Sequence, residues 1–124
     1  MKSVFYCLSG PAGQAANEIV DVIAVSAVFD QPIAVAFIGD GVWQLFDQTI
    51  TEDGKNTTKF LSALPSFDVS EFMVEKESLN SQYLLGRFDE LRANDETSFL
   101  TYVEVKDRDT ILTRMRDFDM VVTD

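Results

Sequence analysis

Several short stretches hold residue types that could do chemistry. In "IAVAFIGDGVWQLF", Gly39-Asp40-Gly41 closes an apolar run. A carboxylate there could ligate a cation or serve as an acid or base. It stands alone, with no second carboxylate adjacent, and a receiver-type phosphoacceptor site would need an acidic pair after the first strand. The better reading is a turn aspartate whose side chain bonds backbone N–H groups. "GPAG", Gly10 to Gly13, passes from a strand end into a helix, as phosphate loops do. It lacks the G-x-G-x-x-G spacing and the G-K-[ST] ending. A tight turn whose glycines suit positive φ accounts for Gly10 and Gly13. The acidic groups at 89–90 and 95–96, with Asp107 and Asp109, look like metal ligands on paper. The chain has twenty-one acidic residues, so close pairs arise by chance. A solvated surface is their default, and neither a metal nor a cofactor is expected.

Cys7 is the only cysteine, and there is no histidine. That removes Cys- or His-rich zinc sites, Ser/His and Cys/His nucleophile pairs and an intrachain disulfide. Cys7 lies in the middle of a predicted strand. A reactive thiol sits exposed near a cation or a helix N-terminus, whereas a buried one behaves as a small hydrophobe. Val42, Trp43, Leu45 and Phe46 are apolar residues directly after a strand end. They need a cover, and contiguous apolar patches of this kind mark interaction sites; they are expected to form an interface.

The elements that must position these residues alternate along 124 residues, a length that suits one domain, residues 1–124. A chain of this size buries roughly 65–70% of its unfolded surface and needs no staple. "SVFYCL" predicts a first strand, residues 14 to 29 a helix, and "IAVAFI" a strand buried on both faces. "DQP" breaks the chain between them. "VWQLF" suits one helical turn, "DQTITEDGKN" a loop, and "TTKFLSALPSF" a short helix ending near Pro65. "EFMVEK" reads as a third strand. "SLNSQYLLGRFDEL" is ambiguous, a helix from Ser78 interrupted at Gly86. "SFLTYVEV" reads as a fourth strand, "DRDTILTRMRDF" as a helix with Arg114 and Arg116 near its end, and "DMVVTD" as a fifth strand. Such alternation predicts an open, mostly parallel sheet with helices on both faces and function at the carboxyl ends of the strands.

The net charge is −11, and the ten basic residues form no patch. Phosphate backbones repel such a surface, so direct nucleic-acid binding is not expected. No apolar run approaches the roughly 20 residues of a membrane helix. No signal peptide is visible, and a lone thiol suits a reducing compartment. A cytoplasmic location is expected.

The stretch from Gly10 to Leu45, "GPAGQAANEIVDVIAVSAVFDQPIAVAFIGDGVWQL", resembles the sulfur-relay family of the DsrE, DsrF and TusB, TusC and TusD subunits, most of all the TusC/DsrF branch. "DVSEFMVEKESL" and "DFDMVVTD" match more loosely. The resemblance implies a DsrEFH-like α/β fold and a place beside sister subunits in a heterohexamer that passes persulfide sulfur. In the Tus branch the sulfur ends in tRNA wobble 2-thiouridine; in the Dsr branch it serves dissimilatory sulfur oxidation. The family's working cysteine lies just after the third strand. Here that region holds Glu75, Lys76, Glu77 and Ser78, with no cysteine. The implied role is therefore a non-catalytic subunit, with no catalytic residue of its own. Two rivals remain: a small nucleotide- or phosphate-binding domain using "GPAG" and Asp40, and a family member that self-associates without a relay role, since homo-oligomers are possible when the chain is alone.

Overall fold

The computed structural model describes residues 3–11, 13–29, 32–46, 57–69, 71–96 and 98–123. Strands β1 (Val4–Leu8), β2 (Ile33–Phe37), β3 (Glu71–Glu75), β4 (Val103–Lys106) and β5 (Met120–Thr123) form one sheet in the order β4-β3-β2-β1-β5. Every ladder in it is parallel. Helices α1 (Gln14–Val28), α2 (Thr57–Ser62), α3 (Lys76–Ser81), α4 (Leu85–Asn94) and α5 (Arg108–Met115) connect the strands.

Crossover handedness explains which helix lies where. The chain steps in one direction through β1, β2, β3 and β4, so right-handed connections place α1 to α4 on one face. The last step runs back across the sheet from β4 to β5, and the same rule sends α5 to the opposite face. The two cores follow this division. Tyr6, Leu8, Val35, Phe37 and Val74 pack with Val20 and Ile23 of α1, Leu61 of α2, Leu79 of α3 and Phe88 of α4. Phe5, Cys7, Ala34, Ala36 and Met73 pack with Ile111 of α5. β1 and β2 are buried at every position, which is why neither alternates in sequence.

Several sequence boundaries shift. The predicted fourth strand over 98–105 begins only at Val103, because Phe99–Tyr102 form a 3-10 turn capped by the Ser98 side chain. β3 stops at Glu75, where α3 begins. The ambiguous stretch that follows is two helices. The break falls at Tyr83, whose φ is +58°, and not at Gly86, which lies inside α4. α2 ends at Ser62, and Pro65 sits inside a separate 3-10 turn, Leu64–Phe67. The polar loop "DQTITEDGKN", residues 47–56, lies outside the described residues.

Candidate functional site

The carboxyl ends of β1, β2 and β3 bring three of the expected stretches together. After β2 the chain turns at Gly39, whose φ is +52°. Gly41 has a stricter reason to be glycine. A Cβ there would lie 1.8 Å from the Leu8 carbonyl oxygen, so the 3-10 turn Gly39–Leu45 can press against the end of β1 only without a side chain. Gly13, the N-cap of α1, has φ +146° and no side-chain cap. Gly10 is tied to the same neighbourhood, its carbonyl accepting from Gln44 Nε2 at 2.8 Å.

That 3-10 turn sorts the expected interface residues. Val42 and Leu45 turn inward and are buried in the chain's own core. They therefore do not belong to the apolar tip expected from their sequence position. The helical turn, with its near-threefold period, points residues 42 and 45 to the same side. Trp43 is left 38% exposed, and Phe46 half-buried against it. Trp43 Nε1–H donates to Gln82 Oε1 at 2.9 Å, and Gln82 Nε2 donates to Asp40 Oδ1 at 3.0 Å. The Asp40 carboxylate thus accepts from a side chain of the segment after α3, where a backbone partner was expected. Gln82 is the residue that sequence reading missed. It lies four positions after Ser78, one helical turn further along the same flank, and that spacing was the available signal.

Directly after β3 lies a connected polar network. Gly39 N–H donates to Ser78 Oγ at 2.7 Å, and Ser78 Oγ donates to Glu75 Oε1 at 2.6 Å. Glu75 is buried and receives both arms of the Arg108 guanidinium, at 3.1 and 3.2 Å. The Arg108 backbone N–H donates to the Glu77 carboxylate, and Asp107 caps α5 by accepting from Thr110 N–H at 2.8 Å. Asp107 is thus a helix cap. Arg108 is the second residue missed in sequence, since its partner lies in a different segment. Further along α5, Arg114 pairs with Glu71 and Asp117, so its role is lateral pairing more than helix-end charge.

Electrostatics show what this network can do. The Arg108 guanidinium, helped by the Ser78 hydroxyl, holds the Glu75 carboxyl below its usual range against the opposing effect of burial. A carboxylate so stabilised is a weak base. Ser78 has its lone donor committed to that carboxylate and one lone pair to Gly39, so it is not poised as a nucleophile. Cys7 is buried, 2% exposed, on β1 under α5. The hollow beside "GPAG" is lined by Gly10, Pro11, Gly13 and the start of α1, and among the described residues its one charged lining residue is Glu18, which opposes an anion. No cluster of three or more metal-ligating side chains occurs among the described residues. No helix among them is long and apolar enough to cross a membrane.

A solved structure has a similar fold. The ychN protein from E. coli superposes over all of both chains with a TM-score of 0.68, at 12% identity, which supports the α/β fold. No family model matches the chain. Curated relatives narrow the class. The protein TusC homolog of Pseudomonas aeruginosa is 27% identical over 90% of this chain and 87% of its own length. The intracellular sulfur oxidation protein DsrF of Allochromatium vinosum is 29% identical over 84% of this chain and 81% of its own. Protein TusC of Buchnera aphidicola is 28% identical over 74% and 76%. These relatives support a TusC/DsrF-like family for this chain, the branch its sequence resembles.

Proposed function

We propose that the chain is a non-catalytic subunit of a sulfur-relay complex. It sits beside TusB- and TusD-like or DsrE- and DsrH-like sisters in a cytoplasmic heterohexamer and supports persulfide transfer towards tRNA wobble-uridine 2-thiolation. The observation that carries this reading is the end of β3. Where the family resemblance places a working thiol, this chain has a closed hydrogen-bonded set, Gly39, Ser78, Glu75 and Arg108. None of these can hold sulfane sulfur, which needs a thiolate. The burial of Cys7 supports the same reading. The name of the DsrF relative, an intracellular sulfur oxidation protein, supplies the sulfur context. The contribution of the chain is then shape and contact, with Trp43 and the outer side of Phe46 offered to a sister subunit.

A second reading, service in dissimilatory sulfur oxidation, is favoured by the DsrF relative. One experiment addresses both. The chain is coexpressed with TusB- and TusD-like chains, and separately with DsrE- and DsrH-like chains. The proposal expects a stable complex with the Tus-like pair that transfers sulfur faster than the same pair without this chain. A complex only with the Dsr-like pair would transfer the assignment to sulfur oxidation. No complex with either would end the subunit reading.

A further inference from the structure

An open hollow of about 380 Å³ lies between α2, α4 and the 3-10 turns next to Phe46 and Phe99. Phe46, Leu91, Phe99 and Leu100 give it an apolar lining. α4 forms one bank. Arg87, Leu91 and Asp95 stand four residues apart, so they follow one flank of that helix to its C-cap. Over eight residues the flank runs from a cation to a carboxylate about 12 Å away. Leu91 lies between them, 37% exposed. Lys59 of α2 adds a second positive charge to the rim.

Arg87 differs from the cations elsewhere on the chain. Lys106 pairs with Glu104, Arg108 with Glu75, and Arg114 with Glu71 and Asp117. Arg87 makes no hydrogen bond or ion pair with any of the described residues, in a chain of twenty-one acidic and ten basic residues. Two hydroxyls on the rim already donate to the chain itself, Thr58 to the Gln44 carbonyl and Ser62 to the Lys59 carbonyl. The Arg87 guanidinium, with its five N–H donors, is left to a ligand.

We propose that this hollow binds a small apolar monocarboxylate, its carboxylate on Arg87 and its body over Leu91, Phe99 and Leu100. A planar guanidinium holds a carboxylate through two parallel N–H···O bonds, which fixes the head. The apolar lining requires a hydrocarbon or aromatic body, because a polar one would lose water there without regaining its hydrogen bonds. Asp95 at the far end of the flank repels a second negative charge, so a diacid of matching length fits poorly. The volume lies at the small end of ligand sites, which suits a molecule of roughly a dozen heavy atoms. A partner helix, about 10 Å across, is too wide for it. The inference does not rest on the sulfur-relay reading.

The test uses the full chain and phenylbutyrate, with phenylbutyramide and phenylbutylamine as its neutral and cationic counterparts. Backbone amide shifts in NMR spectra locate binding and titrate it. Phenylbutyrate is expected to saturate with a Kd of about 1 mM, moving the amides of residues 58–62, 87–91 and 98–100. The neutral amide should bind about fivefold more weakly, and the amine should not saturate. Arg87→Gln should bring phenylbutyrate down to the affinity of the neutral amide and leave the latter unchanged. Added salt should do the same in the parent chain. Leu91→Glu should abolish binding of both. Arg116→Gln, at an exposed cation outside the hollow, should change nothing. Melting temperatures report whether each variant folds. If Arg87→Gln does not fold, the salt titration and the comparison of acid with amide carry the test. No shifts in these residues, or equal affinity for the acid and the amide, would overturn the proposal. Shifts there from an apolar peptide with one Glu, and none from phenylbutyrate, would also overturn it and give the hollow to a partner chain.

Discussion

The end of β3 and the solvent side of α1 are opposites. At the end of β3 each polar group meets another: Gly39, Ser78, Glu75 and Arg108 form one chain of hydrogen bonds around a buried carboxylate. Along the solvent side of α1 and at its C-cap, apolar side chains are left in solvent, with Val25, Val28 and Phe29 each 60–68% exposed. A site that does chemistry keeps a reactive group available, and a site that binds keeps apolar surface available. The first region holds no spare reactive group and the second has surface to spare. The division is what the proposed subunit role expects. Trp43 falls between the two, half-exposed at the edge and joined through Gln82 to the polar side.

That comparison can be broken from the binding side first. Trp43→Ala should weaken assembly with sister subunits by about 2 kcal/mol or more, the usual loss for a buried interface anchor. The isolated chain should lose less, because Trp43 is already 38% exposed without a partner. Sedimentation of the complex beside thermal melting of the single chain reads both quantities. Melting that falls sharply while assembly is kept would make Trp43 a core residue. On the polar side, Ser78→Ala should cost about 1–3 kcal/mol of folding stability, since it strands the Gly39 N–H and removes a donor from Glu75. Denaturant unfolding measures it. A neutral result would mean that the network is not tightly held.

The smallest expected effect is the most specific. The folded-state pKa of Glu75 is lowered, by Arg108 first and Ser78 second. A lowered carboxylate stabilises the fold fully above its ordinary value, 4.5, and loses that contribution as pH falls through the lower folded value. Arg108→Ala should therefore reduce the melting temperature most near neutral pH. The gap from the parent chain should close as pH falls below 4.5. A gap constant over that range would show that Arg108 acts through packing alone.

Much of the fold was legible because its signals are local. The apolar runs of β1 and β2 announced strands, that of β2 as one buried on both faces, and strand–helix alternation announced the parallel sheet. What was not legible depends on contacts distant in sequence. Phe99–Tyr102 have strand-like residue types, yet the chain takes a 3-10 turn there, with Phe99 packed on Phe72 of β3. Val42 and Leu45 read as surface from their place after a strand, until the turn geometry sends them inward. Glu75 could be located from sequence, but its partner Arg108, thirty-three positions on, could not. The absence of a thiol at 75–78 needed no structure, since it is written in the residue types.

The central claim is that this chain holds no transferable sulfur. It is tested most directly by incubating the native protein with a low-molecular-weight persulfide donor and weighing it intact, alone and then with a TusD-like acceptor. The account predicts an unchanged mass, because Cys7 is covered by α5 and no other thiol exists. Rapid gain of one sulfur at Cys7, passed on to the acceptor, would contradict it.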